Sequence, residues 1–92
     1  MIVTVTFWAL PGEGQLVRTF IFQDDPDFRL VGDYADLPQH EVLEFLSRLG
    51  VNPQDSQSIL ELVLQQPTVQ RRRFNLNATQ EVQARRFLSG NW

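Results

Sequence analysis

Residues 2–23 read IVTVTFWALPGEGQLVRTFIFQ. Two apolar runs, 2–10 and 15–23, flank the segment PGEG, in which Pro11 precedes Gly12. Pro presets φ for the first central turn position and Gly accepts positive φ at the second, which favours a type II turn. Two β-rich runs joined in this way read as an antiparallel hairpin. Side chains alternate along a strand. Val3, Val5 and Phe7 therefore point one way, and Ile2, Thr4, Thr6 and Trp8 the other. In the second run Val17, Thr19 and Ile21 oppose Leu16, Arg18, Phe20 and Phe22. Both sides carry large apolar groups, whereas a hairpin with one wet side is polar there. The second side is either covered by the rest of the chain or is a contact surface, for which Trp8, Phe20 and Phe22 are the candidate residues.

Outward from the hairpin, QDDPDF (23–28) is turn chemistry around Asp25-Pro26. Phe28 to Val31 read as a short third strand ending at Gly32. Asp36, Leu37 and Pro38 open a helix, because Pro suits a first turn and Gln39 stands three residues after Asp36. Val42, Leu43, Phe45, Leu46 and Leu49 recur with helical period. Gly50 stops that helix, with Val51 placed to fold back on its last turn. Asn52-Pro53 start a second helix with Asp55 in its first turn. Ile59, Leu60, Val63 and Leu64 form its apolar side, and Pro67 ends it. So short a link makes the two helices close neighbours. Residues 69–76 read as a last strand at a sheet edge, with Phe74 and Leu76 on one side; a loop is the alternative. Asn77, with Gln80 three on, caps a helix over 78–89 that ends at Gly90. The expected fold is one small α+β domain over 1–92: an N-terminal antiparallel hairpin or three-stranded sheet, a helical hairpin, an edge strand and a C-terminal helix.

Ninety-two residues, 42% of them apolar and including seven Phe and two Trp, suffice for one core. The absence of cysteine excludes disulfides, thiolate metal sites and cysteine nucleophiles. No apolar run approaches the roughly 20 residues of a membrane span. The first ten residues lack a basic lead and alternate with Thr, unlike a signal peptide. A soluble cytoplasmic protein is expected.

Signals for catalysis are weak. His40 is the one histidine. Asp36 and Glu44 lie four residues to either side, so all three are expected on one helix side, but at ~1.5 Å per residue the two acids are about 12 Å apart and only one could join His40 at an ion, too few ligands for zinc. No serine stands in a nucleophile-elbow context. The acids from Asp24 to Asp36 do not follow calcium-loop spacing. FLSRLGVNPQDSQSILELV (45–63) resembles a helix-turn-helix in outline, yet its second helix carries Asp55 and Glu61 and no basic residue, so phosphates would repel it. No cofactor, metal site or catalytic residue is assigned.

Charge is segregated. Residues 1–46 carry a balance of −6 and residues 47–92 a balance of +3, for a net −3. All eight basic residues are Arg, whose planar fork suits carboxylates and phosphates. Five of them, Arg71, Arg72, Arg73, Arg85 and Arg86, lie within 69–87. On a strand Arg71 and Arg73 share one side, while Arg72 joins Phe74 and Leu76 on the other. No aromatic array interleaves with them for base stacking. The preferred expectation is a non-catalytic adaptor or small regulatory subunit. Its arginines meet an acidic protein surface, with Trp8, Phe20 and Phe22 as further contacts. Pairing with Asp24–Asp27 within the chain is the plain structural alternative, and a homodimer is another. A nucleic-acid-binding protein using the same arginines is the runner-up, and a small enzyme the third reading.

Overall fold

The structure, a computed structural model, describes residues 2–10, 15–23, 31–65 and 69–89, with the backbone alone given for 22, 23 and 31–33. The elements run β1 (Ile2–Ala9), β2 (Val17–Gln23), β3 (Val31–Leu37), α1 (Gln39–Arg48), α2 (Pro53–Gln65), β4 (Gln70–Asn75) and α3 (Ala78–Ser89). The strands form one antiparallel sheet in the order β3-β2-β1-β4. This is the expected α+β architecture, and 70–75 is indeed an edge strand.

β1 and β2 pair from Val3↔Gln23 to Ala9↔Val17, and the Leu10 amide donates to the Leu16 carbonyl at 2.9 Å beyond the last pair. The type II turn expected at PGEG lies outside the described residues.

The third strand ends later, and the first helix begins later, than the sequence pattern predicts; residues 28–30 of the expected strand lie outside the described residues. The strand does not end at Gly32 but continues to Leu37, and α1 starts at Gln39 with Pro38 at its cap position and no side-chain cap bond. Asp36 therefore belongs to the sheet and does not cap the helix. Gly32 and Asp33 are poor strand formers, but cross-strand partners override that preference. Phe20 stands opposite Tyr34 and Arg18 opposite Asp36, while Leu37, opposite Val17, enters the core.

The helix ends follow local chemistry more closely. At the end of α1 the Val51 amide donates to the Leu46 carbonyl and the Gly50 amide to that of Ser47, both about one turn back, with Gly50 at φ 87°. This is a Schellman closure. Asn52 Oδ1 accepts from the Asp55 amide at 2.8 Å and so starts α2. Asn77 and Gln80 form a reciprocal capping box: Asn77 Oδ1 accepts from the Gln80 amide at 2.8 Å, and Gln80 Oε1 from the Asn77 amide at 3.0 Å.

All three helices pack on one side of the sheet. Val3, Val5, Phe7, Val17 and Ile21 meet Val42, Phe45 and Leu46 of α1, Leu60 and Val63 of α2, and Ala84, Phe87 and Leu88 of α3 in a single buried cluster. The Phe45 and Phe87 rings lie 5.7 Å apart in a tilted pair, an arrangement worth about 0.5–1.5 kcal/mol beyond area burial. No described helix is long and apolar enough to cross a membrane.

Candidate interaction surface

With the helices on one side, no described element lies on the other face of the sheet, where Trp8 and Tyr34 are exposed, Phe20 is half-buried and Thr6, at the centre, is buried. Its contents follow from register, since residues directly opposite in a sheet share a face. One row runs Tyr34, Phe20, Thr6, Arg71 across all four strands. A second runs Asp36, Arg18, Trp8, and on a third Thr4 stands opposite Arg73. Tyr34 is 60% exposed and Trp8 41%, values far from those of the buried residues on the helix side.

The aromatic centre of this face is organised. Phe20 and Tyr34 stack with ring centroids 5.3 Å apart and planes 29° apart. The Arg18 guanidinium lies 5.6 Å from the Tyr34 ring and binds Asp36 with two bonds, Nε to Oδ1 at 2.8 Å and one terminal nitrogen to Oδ2 at 3.2 Å. That bidentate bond holds the Asp36 carboxyl below its usual range and raises the Arg18 guanidinium above its own. A depressed carboxyl contributes stability above its unfolded pKa of about 4 and loses it as pH falls through the folded value. The pair faces solvent, so its contribution to folding is small. What it does is fix the Arg18 side chain beside Tyr34.

The five C-terminal arginines do not form one patch. Arg71 and Arg73 lie on the open face opposite Thr6 and Thr4, while Arg72, opposite Val5, is on the helix side; all three are exposed. Arg85 is on α3, behind the sheet, where Nε binds Glu81 Oε1 at 3.2 Å in a partly buried pair. Arg86 is exposed on the same helix beside Val82 and Gln83. Of the hairpin candidates, Trp8 and Phe20 lie on the open face, and the Phe22 side chain lies outside the described residues. So do Asp24, Asp25 and Asp27, and with them the expected pairing of those acids to the arginines.

Two readings of the sequence are corrected here. Aromatics do share a surface with arginines: Trp8, Phe20 and Tyr34 stand on the same face as Arg18, Arg71 and Arg73. The contributor missed was Tyr34, because 33–36 read as the approach to a helix. Its signal was present in the alternation of Tyr34 and Asp36 with Ala35 and Leu37. In addition, His40 does not share a helix side with Asp36, which is held in β3 by Arg18. The exposed side of α2 remains acidic through Asp55 and Glu61, so it offers nothing to phosphates.

The chain matches no family model, and neither the curated proteins nor the solved structures contain a significant match to it.

Proposed function

We propose that the protein is a non-catalytic interaction module that holds an acidic protein surface against the open face of its sheet. The observation that carries this reading is that Trp8, Phe20 and Tyr34 share with Arg71 and Arg73 the face of the sheet that no described element covers. Aromatic side chains and Arg are the groups that concentrate binding energy at protein interfaces, because they bring large area or several donors at modest entropic cost. Arg71 and Arg73 add selectivity for carboxylates through bidentate geometry. Arg72, Arg85 and Arg86 fall outside this contact.

Single-stranded nucleic acid is the second reading, favoured by the same juxtaposition of rings and guanidinium groups. Two features weigh against it. Arg18 is already committed to Asp36, and neutralising two phosphates with Arg71 and Arg73 gives a salt slope of only about −1.4. Phe20 and Tyr34 are also stacked on each other, which occupies ring faces that bases would use.

Trp8 emission, followed in a Trp92→Phe background, separates the two. Titrations with polyglutamate and with oligothymidylate are compared at equal anionic-group concentration. Polyglutamate is expected to bind and to weaken with salt. Arg71→Gln with Arg73→Gln should reduce its affinity at least about tenfold. Arg72→Gln should leave it within about twofold. Tighter binding of oligothymidylate would establish the second reading and overturn the first, as would failure of polyglutamate to bind.

A further inference from the structure

The open face changes character from edge to edge, and the order of that change fits a second copy of the same face. Ile2 alternates onto this face with Trp8 and is 51% exposed. Three large apolar side chains left in water, Ile2, Trp8 and Tyr34, therefore lie on one side of the sheet, as at a contact surface. Arg71 is exposed on the same side. The row Tyr34, Phe20, Thr6, Arg71 begins with a ring at β3 and ends with a cation at β4. The next row begins with Asp36 and Arg18 and reaches Trp8 on β1.

A symmetric pair of such faces must be self-complementary, because each residue meets its counterpart's neighbour twice. An axis along the strands reverses the strand order, so that β3 of one copy lies on β4 of the other and β2 on β1. Each row then overlies itself in reverse. The exposed Tyr34 ring receives Arg71 of the second copy, and Trp8 receives Arg18. A guanidinium over a ring is favourable, and Asp36 stands two residues from Tyr34 on the same side of β3, within the field of the incoming cation. An axis across the strands instead lays β4 on β4 and brings Arg71 against Arg71, which is unfavourable. Charge thus selects the first arrangement. It needs neither Thr4 nor Arg73.

We infer that the protein self-associates through the open face as a two-fold dimer, with Tyr34 of each copy covered by Arg71 of the other. With strands about 4.8 Å apart and a rise of about 3.4 Å per residue, four strands of six or seven residues present roughly 400 Å² of planar face. Two copies cover roughly 800 Å² of planar face, at the small end of specific interfaces, so the dimer is weak and exchanges with the single chain. The inference goes beyond the acidic contact and does not depend on it. One face serves two occupants in turn, and a partner must displace the second copy.

The test is sedimentation of the intact protein without any partner, from about 1 μM to about 1 mM. The mass is expected to rise from that of one chain towards that of two. Tyr34→Arg sets cation against cation, and Arg71→Glu removes the group that covers the ring. Each variant alone should move the midpoint at least about tenfold to higher concentration. An equimolar mixture of the two should associate more tightly than either alone. In the mixed pair one site joins the introduced arginine to the introduced glutamate, and the other keeps Tyr34 against Arg71. Recovery in the mixture also shows that both variants are folded. A single-chain mass at about 1 mM overturns the dimer. Association that neither substitution weakens places it on another surface and overturns this one. A mixture no tighter than its components overturns the pairing of Tyr34 with Arg71. None of these results touches the acidic contact, which the polyglutamate titration decides separately.

Discussion

Gly50 is where a single residue type is required by backbone geometry. It sits at φ 87°, in the left-handed region where an L side chain meets a steric penalty, and its amide and that of Val51 close the last turn of α1. An added Cβ would also lie 3.4 Å from Gln80 Nε2 of α3, so the turn is bounded by a neighbour as well as by its own conformation. Replacing Gly50 with Ala should cost about 1–2 kcal/mol. In a domain of this size that lowers Tm by roughly 5–15 °C. Asn tolerates the left-handed region better, so Gly50→Asn should cost less than Gly50→Ala. Urea denaturation of both variants checks the order. An Ala variant as stable as the parent would mean that the chain does not turn here through a left-handed residue. The same kind of local necessity explains why Asn52 and the Asn77–Gln80 box can be read from the sequence: each cap involves residues three apart, and their side chains suffice to make it.

Elements whose reasons are not local are less legible. β4 could be read because Phe74 and Leu76 alternate with polar neighbours and the run is β-compatible. β3 could not be read to its true end, because Gly32 and Asp33 argue against a strand and the favourable terms come from β2, well separated in sequence. The candidate site inherits the same division. That Arg71 and Arg73 share a side follows from alternation alone. That they share a face with Tyr34 depends on the strand order, in which β4 joins the N-terminal strand and β3 lies at the far edge. This order also ranks the strands by how easily they open. β1 is paired on both sides and β2 likewise, while β3 and β4 each have one strand neighbour among the described residues. Amide hydrogen exchange should therefore be slowest in β1 and β2, near the rate set by global unfolding, and faster in β4. Exchange in β4 as slow as in β1 would show that β4 is protected on both of its edges.

For the molecule as a whole, the sheet separates the core from the face proposed for contact. Its helix side holds the buried cluster, and its open side holds the exposed rings and Arg71 and Arg73. Adjacent residues of β2 illustrate the split: Ile21 is fully buried against the helices, while Phe20 stacks with Tyr34 on the other face. Substitutions on the two sides should then dissociate stability from binding. Ile21→Val removes one buried methylene and should cost about 0.5–1.5 kcal/mol, with polyglutamate affinity unchanged. Phe45→Ala, equally buried in the same cluster but losing a whole ring, should cost about 3–5 kcal/mol, a large share of the ~5–15 kcal/mol that holds a domain together. Tyr34→Ser loses a ring that is mostly in water, so its cost should be no more than about 1.5 kcal/mol, the worth of an aromatic pair. Its effect on polyglutamate affinity should be several-fold if the ring anchors the proposed contact. Urea denaturation and the Trp8 titration, run on the same three variants, read the two quantities separately. If Tyr34→Ser destabilises as much as Phe45→Ala, the ring belongs to the core and the open face is not a surface kept for a partner. If it leaves both stability and affinity untouched, the aromatic cluster has no part in binding, and the contact reduces to Arg71 and Arg73 at the edge of the sheet.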